Sequence, residues 1–102
     1  MKRMIVQYTV KPERAAENQQ AIERVFAELR ATNPGGVRYV SFKGEDGVTF
    51  MHLVSVETES GENPLNQLPA FQAFQAGVGD RFAVEPTFTT LDEVGSYRVF
   101  GS

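Results

Sequence analysis

Cysteine and tryptophan are absent from the 102 residues, and histidine occurs once. Without cysteine there can be no disulfide, zinc–thiolate site, iron–sulfur cluster or thiol nucleophile. A single histidine excludes a multi-histidine metal site, so no metal and no cofactor is expected. An excess of positive charge is missing too: 10 Lys plus Arg stand against 13 Asp plus Glu, a net charge of −3. That balance argues against a nucleic-acid partner. No apolar run approaches the ~20 residues of a membrane span. Residues 1–6 are too short an apolar run for a signal peptide and are followed by polar Gln7. A cytoplasmic protein, bound to neither membrane nor nucleic acid, is the expectation.

What is present is an ordinary globular composition, 41% hydrophobic and 23% charged, at a length suited to one domain over residues 1–102. Residues 3–10 alternate, with Met4, Val6, Tyr8 and Val10 on one face, and predict a strand. Pro12 then opens a helix over 12–32. Ile22, Val25, Phe26 and Leu29 recur at helical spacing, with Ala15 one heptad earlier, until Asn33-Pro34-Gly35-Gly36 stops the pattern. Two β runs, 37–43 and 48–57, flank Gly44-Glu45-Asp46-Gly47 and read as a hairpin. A symmetric turn would set Lys43 against Val48, Ser41 against Phe50 and Tyr39 against His52. The other face of this hairpin carries Arg38, Val40, Phe42, Thr49, Met51 and Leu53. Both faces are largely apolar, so both are expected to be covered. One helix layer covers only one of them, and a second subunit is the natural cover for the other.

Residues 58–67 read as a loop. Leu68, Phe71, Phe74 and Val78 mark a short helix over 69–78, and residues 82–91 a last strand whose Pro86 suggests an edge or a bulge. After the turn Asp92-Glu93-Val94-Gly95, the apolar segment 96–100 predicts a further short strand. It would bury Tyr97 or Phe100 against a partner subunit, or pair in hairpin fashion with the preceding strand of its own chain.

The order is β-α-β-β-α-β, a ferredoxin-like α+β fold with an antiparallel sheet. The strand running into Val10-Lys11-Pro12, the long helix, the Pro34-Gly35 stop, the hairpin and the Phe-containing second helix together resemble the antibiotic biosynthesis monooxygenase-like domains of the dimeric α+β barrel superfamily. The resemblance covers nearly the whole chain and rests on elements and turns rather than on catalytic signatures. It implies a homodimer with two four-stranded sheets face to face. It also implies activities ranging from cofactor-independent monooxygenation of polyketide phenols and quinol oxygenation to haem degradation, or no activity at all. The missing tryptophan departs from several of these enzymes. The second helix has no histidine where a haem ligand would stand, which argues against haem degradation.

Among candidate functional residues, His52 could serve as a base toward a phenol or as a carboxylate anchor. A strand histidine simply bonded to Tyr39 or to backbone is the competing reading. Tyr39 could orient His52 or the substrate. Tyr8 and Tyr97 could place hydroxyls in a pocket, although tyrosine is common at sheet surfaces. Asn63 and Asn66 match loosely the polar residues of the phenol-oxidising branch. Arg38 could bind an anionic group or pair with an acid. Phe71, Phe74 and Met51, with Phe82 and Phe88, could line a site for a small aromatic ligand, or could be core. Glu57, Glu59 and Glu62 read as a solvated run. Gly77-Val78-Gly79 lacks the third glycine of a dinucleotide fingerprint. Two functions follow: a cofactor-independent monooxygenase for an aromatic or quinol-type molecule, or a non-catalytic dimeric module for a small apolar ligand or a protein partner. A cavity in which His52 meets another polar group favours the first.

Overall fold

Alternation of apolar side chains from Met4 to Val10 builds β1 (Lys2–Val10), and the computed structural model, which describes residues 1–99, follows it with five further main elements. A 3₁₀ turn at Pro12–Arg14 leads into α1 (Ala15–Thr32), then β2 (Val37–Lys43), β3 (Thr49–Val56), α2 (Pro69–Val78) and β4 (Phe82–Leu91). The strands form one antiparallel sheet in the order β2-β3-β1-β4. This is the ferredoxin-like α+β arrangement.

Helix α1 ends where Asn33 takes the left-handed conformation (φ 46°) and its N–H reaches the Leu29 carbonyl at 2.7 Å. Gly36, at φ +80°, begins the return to the sheet. A Cβ there would lie 2.5 Å from the Thr58 methyl, so only glycine fits both the backbone and the space.

Both helices cover the same sheet face. Tyr8, Val10 and Phe50 from the sheet meet Ile22 and Val25 of α1, Phe71 and Phe74 of α2, and Leu65 and Leu68 between them. Burial of side chains such as Val25 and Phe50 stabilises by roughly 1.5–3 kcal/mol each. The opposite face, with Val40, Phe42, Met51 and Leu53, has no such cover in the single chain, and Phe42 is 54% exposed. Among the described residues no helix is long and apolar enough to cross a membrane.

The hairpin register differs from the symmetric expectation by two residues: Lys43 opposes Phe50, Ser41 opposes His52 and Tyr39 opposes Val54. The Asp46 carboxylate accepts from the amides of Val48 and Thr49, which draws Val48 into the turn and leaves Gly44 to pair with Thr49. A shift of two preserves the face of every side chain. Pro86 lies on an edge strand, at a point where the β1–β4 register slips between Gln7 and Thr9, so it is both at an edge and at an irregularity.

The tail departs from expectation more clearly. Residues 97–99 form bends rather than a strand, and among the described residues the tail makes no pairing with β4. Tyr97 is 78% exposed in the single chain. What anchors the segment is Glu93, whose carboxylate meets Arg3 Nη1 at 2.7 Å. Phe100, the other half of the tail expectation, lies outside the described residues.

Candidate functional site

Strand parity brings Tyr8, Tyr39, Ser41, Phe50 and His52 to the helix-covered face, and their rings form a stack. Phe50, Tyr8, His52, Tyr39 and Phe26 follow one another with neighbouring centroids 5.9, 5.4, 5.9 and 5.1 Å apart, all near parallel. Phe74 meets the imidazole edge-on at 5.6 Å and Phe71 meets Tyr39 likewise at 6.3 Å. Tyr8 and Tyr39 are diagonal to His52 across the sheet rather than directly opposite, a separation that aromatic side chains span.

His52 is buried, and both its ring nitrogens are engaged. Nε2 lies 2.8 Å from the Tyr8 hydroxyl. Nδ1 lies 2.6 Å from Ser41 Oγ and 3.0 Å from the Tyr39 hydroxyl. Behind Tyr8 the network continues: Asn18 Nδ2 donates to Tyr8 Oη at 3.0 Å, and Arg81 Nε donates to Asn18 Oδ1 at 2.9 Å. Asn18 is wholly buried, and Arg81 is 4% exposed. The guanidinium also sits 5.7 Å from the Phe74 ring centroid and 3.4 Å from a Glu17 carboxylate oxygen, while its Nη2 has no hydrogen-bond partner among the described residues.

Burial sets the protonation states. It pushes the His52 pKa down to about 4, so the ring is neutral near pH 7. Burial likewise pushes the phenols of Tyr8 and Tyr39 up to about 12, against the smaller opposing effects of hydrogen bonds from Asn18 and Ser41. Both phenols therefore keep their protons.

The network forms one wall of a half-open cleft of about 220 Å³ between the sheet and the α2 side. Apolar Val6, Val54, Leu65, Phe71, Phe74 and Val78 make up most of the remaining lining. Asn63, Gln75 and Phe88 also border it, and Phe88 is 66% exposed. The Asn63 carbonyl oxygen is spent on the Leu65 amide, 3.0 Å away, as the cap of the turn Pro64–Gln67.

Four of the six residues singled out for catalysis or binding are thus brought together: His52, Tyr39, Phe71 and Phe74. Arg38 and Met51 are not. Both point to the opposite face of the sheet, where Arg38 Nε pairs with Glu57 at 3.2 Å, so neither reaches the cleft. Asn66 stays outside as well, its carbonyl accepting from the Gln72 side chain at 2.8 Å. Phe82 packs edge-on against Tyr8, centroids 5.2 Å apart, as core.

Asn18, Ser41 and Arg81 are members of the site that pattern reading passed over, and Tyr8 is more central than its pattern suggested. A signal for Asn18 existed: it lies three residues after Ala15 and four before Ile22, an amide on the apolar stripe of α1. Ser41 shares parity with Tyr39. Arg81 carries no local signal, because a 3₁₀ turn brings it in from another part of the chain.

No family model matches the chain, and no curated protein matches it by sequence. Solved structures do match in fold. A structure described as an antibiotic biosynthesis monooxygenase is similar over 93% of this chain and 100% of its own, with TM-score 0.75 and 16% identity. A Mycobacterium tuberculosis protein is similar over 93% and 96%, with TM-score 0.74 and 16% identity. A Nitrosomonas europaea protein of unknown function is similar over 98% and 95%, with TM-score 0.73 and 15% identity. At such identities the likeness is one of fold, and in fold this chain is like the antibiotic biosynthesis monooxygenase structures.

Proposed function

We propose that the chain is an oxygenase-type enzyme acting on a small phenolic or quinol-type molecule without a bound metal or flavin. The observation that carries the reading is the convergence of Tyr8, His52 and Tyr39 on a mostly apolar cleft. At about 220 Å³ the cleft exceeds the ~150 Å³ that holds benzene and falls below the ~300 Å³ of drug-sized sites, which suits one or two fused rings.

The substrate hydroxyl gives its proton to Tyr8 Oη while Tyr8 passes its own to His52 Nε2, and Tyr39 donates to the phenolate oxygen left behind. Moving a proton from a phenol of pKa ~10 to a ring near 4 costs about 8 kcal/mol before the attraction of the ions formed. That fits within the ~16–17 kcal/mol barrier of a reaction at 1–10 per second. The phenolate passes one electron to O₂, and the two radicals recombine in a C–O bond. Where the attacked carbon, ortho or para to the hydroxyl, carries a hydrogen, the sum is H–Ar–OH + O₂ → O=Ar=O + H₂O: one hydrogen leaves from carbon and one from oxygen, balanced without a further reductant.

Oxygen consumption across a panel of naphthols and hydroquinones tests this. Uptake by the wild type is expected, with kcat about 10²–10⁴-fold lower in Tyr8→Phe and His52→Ala. A second reading, a non-catalytic module for a small apolar ligand, draws on both imidazole nitrogens already being bonded within the chain. Ligand-induced rise in melting temperature with no oxygen uptake by any panel member would decide for it.

The reading includes a homodimer. The uncovered face with Val40, Phe42, Met51 and Leu53 supports it, since an apolar sheet face is costly to leave in water. Light scattering at micromolar concentration is expected to give twice the chain mass for wild type and less for Phe42→Lys. A monomeric wild type would end this part of the reading.

A further inference from the structure

We infer that Arg81 is a positioning residue: through Asn18 and Tyr8 it locks His52 in the tautomer protonated at Nδ1. The donor and acceptor capacity of each group fixes this tautomer. A guanidinium donates and cannot accept, so the Asn18 atom 2.9 Å from Arg81 Nε must be the carbonyl oxygen. The amide orientation follows, and the Asn18 NH₂ must face Tyr8 Oη, 3.0 Å away. The Tyr8 oxygen thus already accepts, and its own proton is free to donate. Its remaining near partner is His52 Nε2 at 2.8 Å, which is therefore the unprotonated nitrogen. The ring proton stands on Nδ1, facing Ser41 Oγ at 2.6 Å and Tyr39 Oη at 3.0 Å. Every bond from Arg81 to Ser41 then runs in one direction, and such aligned bonds polarise one another.

The consequence for the site rests on the proposed function. With Nε2 held as the acceptor, the proton path from the cleft enters through Tyr8. Because the ring donates toward Ser41 and Tyr39, those hydroxyls keep protons to give, and the Tyr39 side of the cleft offers a donor. The ligand oxygen held there is an acceptor, a phenolate or a carbonyl.

The single histidine makes the test unambiguous, because ¹⁵N-histidine labelling yields one pair of ring signals, which distinguish a protonated from an unprotonated ring nitrogen. Wild type near pH 7 is expected to show an unprotonated Nε2 and a protonated Nδ1. In Asn18→Asp the carboxylate only accepts: it keeps Arg81 as a partner but takes the Tyr8 proton, so the ring should invert to Nε2–H. Where Asn18→Asp does not fold, Arg81→Met frees the amide to turn and should populate both tautomers. In Asn18→Asp kcat is expected to fall about 10²-fold. Inversion without measurable turnover in any protein upholds the positioning role and sinks the enzymatic reading. A wild type protonated at Nε2, or a folded Asn18→Asp or Arg81→Met with wild-type ring signals, overturns the inference whatever the activity.

Discussion

Asn18→Ala is expected to lower the unfolding free energy by about 3–5 kcal/mol, a large share of the roughly 5–15 kcal/mol that holds a domain of this kind together. The amide is wholly buried and bridges a phenol and a guanidinium. Its truncation strands Arg81 Nε in the interior, where Arg81 has a Glu17 oxygen at 3.4 Å and the Phe74 ring as remaining company. A buried donor that loses its partner loses the full cost of its desolvation, not the small net worth of one bond. Thermal unfolding should show the change as a fall on the order of 15–30 °C, at ~4–8 °C per kcal/mol for a chain of this size. The mechanism has a distinctive consequence. In the double variant Asn18→Ala with Arg81→Met no cation is left stranded, so the double variant should be about 1–3 kcal/mol more stable than additivity predicts. Strict additivity would show that the Asn18 effect is loss of volume alone.

Acid should destabilise the protein through His52 over a defined window. The ring titrates near 4 when folded and near the ordinary 6.5 when unfolded. Between those values the unfolded chain holds a proton that the folded chain does not. Stability is therefore undiminished above about pH 6.5, falls as the pH drops below it, and reaches its full loss below about pH 4. At about 1.4 kcal/mol per pH unit, the window corresponds to a loss on the order of 3 kcal/mol. Carboxylates held below their usual range, Asp46 by Thr49 and Val48 and Glu57 by Ser55 and Arg38, lose stability as well when acid protonates them. Comparison with His52→Gln separates the two, because the variant retains those carboxylates. Denaturant unfolding at pH 7.5, 6, 5 and 4.5 should show the gap between the proteins narrowing as the pH falls. A constant gap would mean that His52 ionises as freely in the folded protein as in the unfolded chain.

The elements were legible because each follows from local periodicity. The stripe Ile22, Val25, Phe26 and Leu29 specifies an amphipathic helix, and its Asn33-Pro34-Gly35-Gly36 stop ends α1 at Thr32. The limits of α2 and β4 follow the same logic, with Pro69 at one end and Gly79 between them. Alternation, with the hairpin pairing, placed His52 and Tyr39 on one face, and it also placed Arg38 and Met51 on the other. Parity by itself was therefore enough to separate those two from His52, whatever their chemistry. A two-residue error in register did not disturb this, since side-chain direction repeats every two residues.

The hydrogen-bonded order of the site was decided only in three dimensions. Sequence alone put His52 beside Tyr39, yet it could not show that Tyr8 of β1 takes the other ring nitrogen, because that depends on which strand lies beside β3. Nor could it show Arg81 reaching Asn18 across 63 positions of chain, since packing of the turn after α2 against α1 brings them together. The strand expected for the tail does not form over residues 97–99, for a related reason. Apolar content signals a need for burial but not a partner strand, and Glu93 pairs with Arg3 while residues 97–99 form bends. Local pattern determines which face a residue occupies. Which residues then meet on that face depends on strand order and helix docking, and these are set by the summed packing of the whole core.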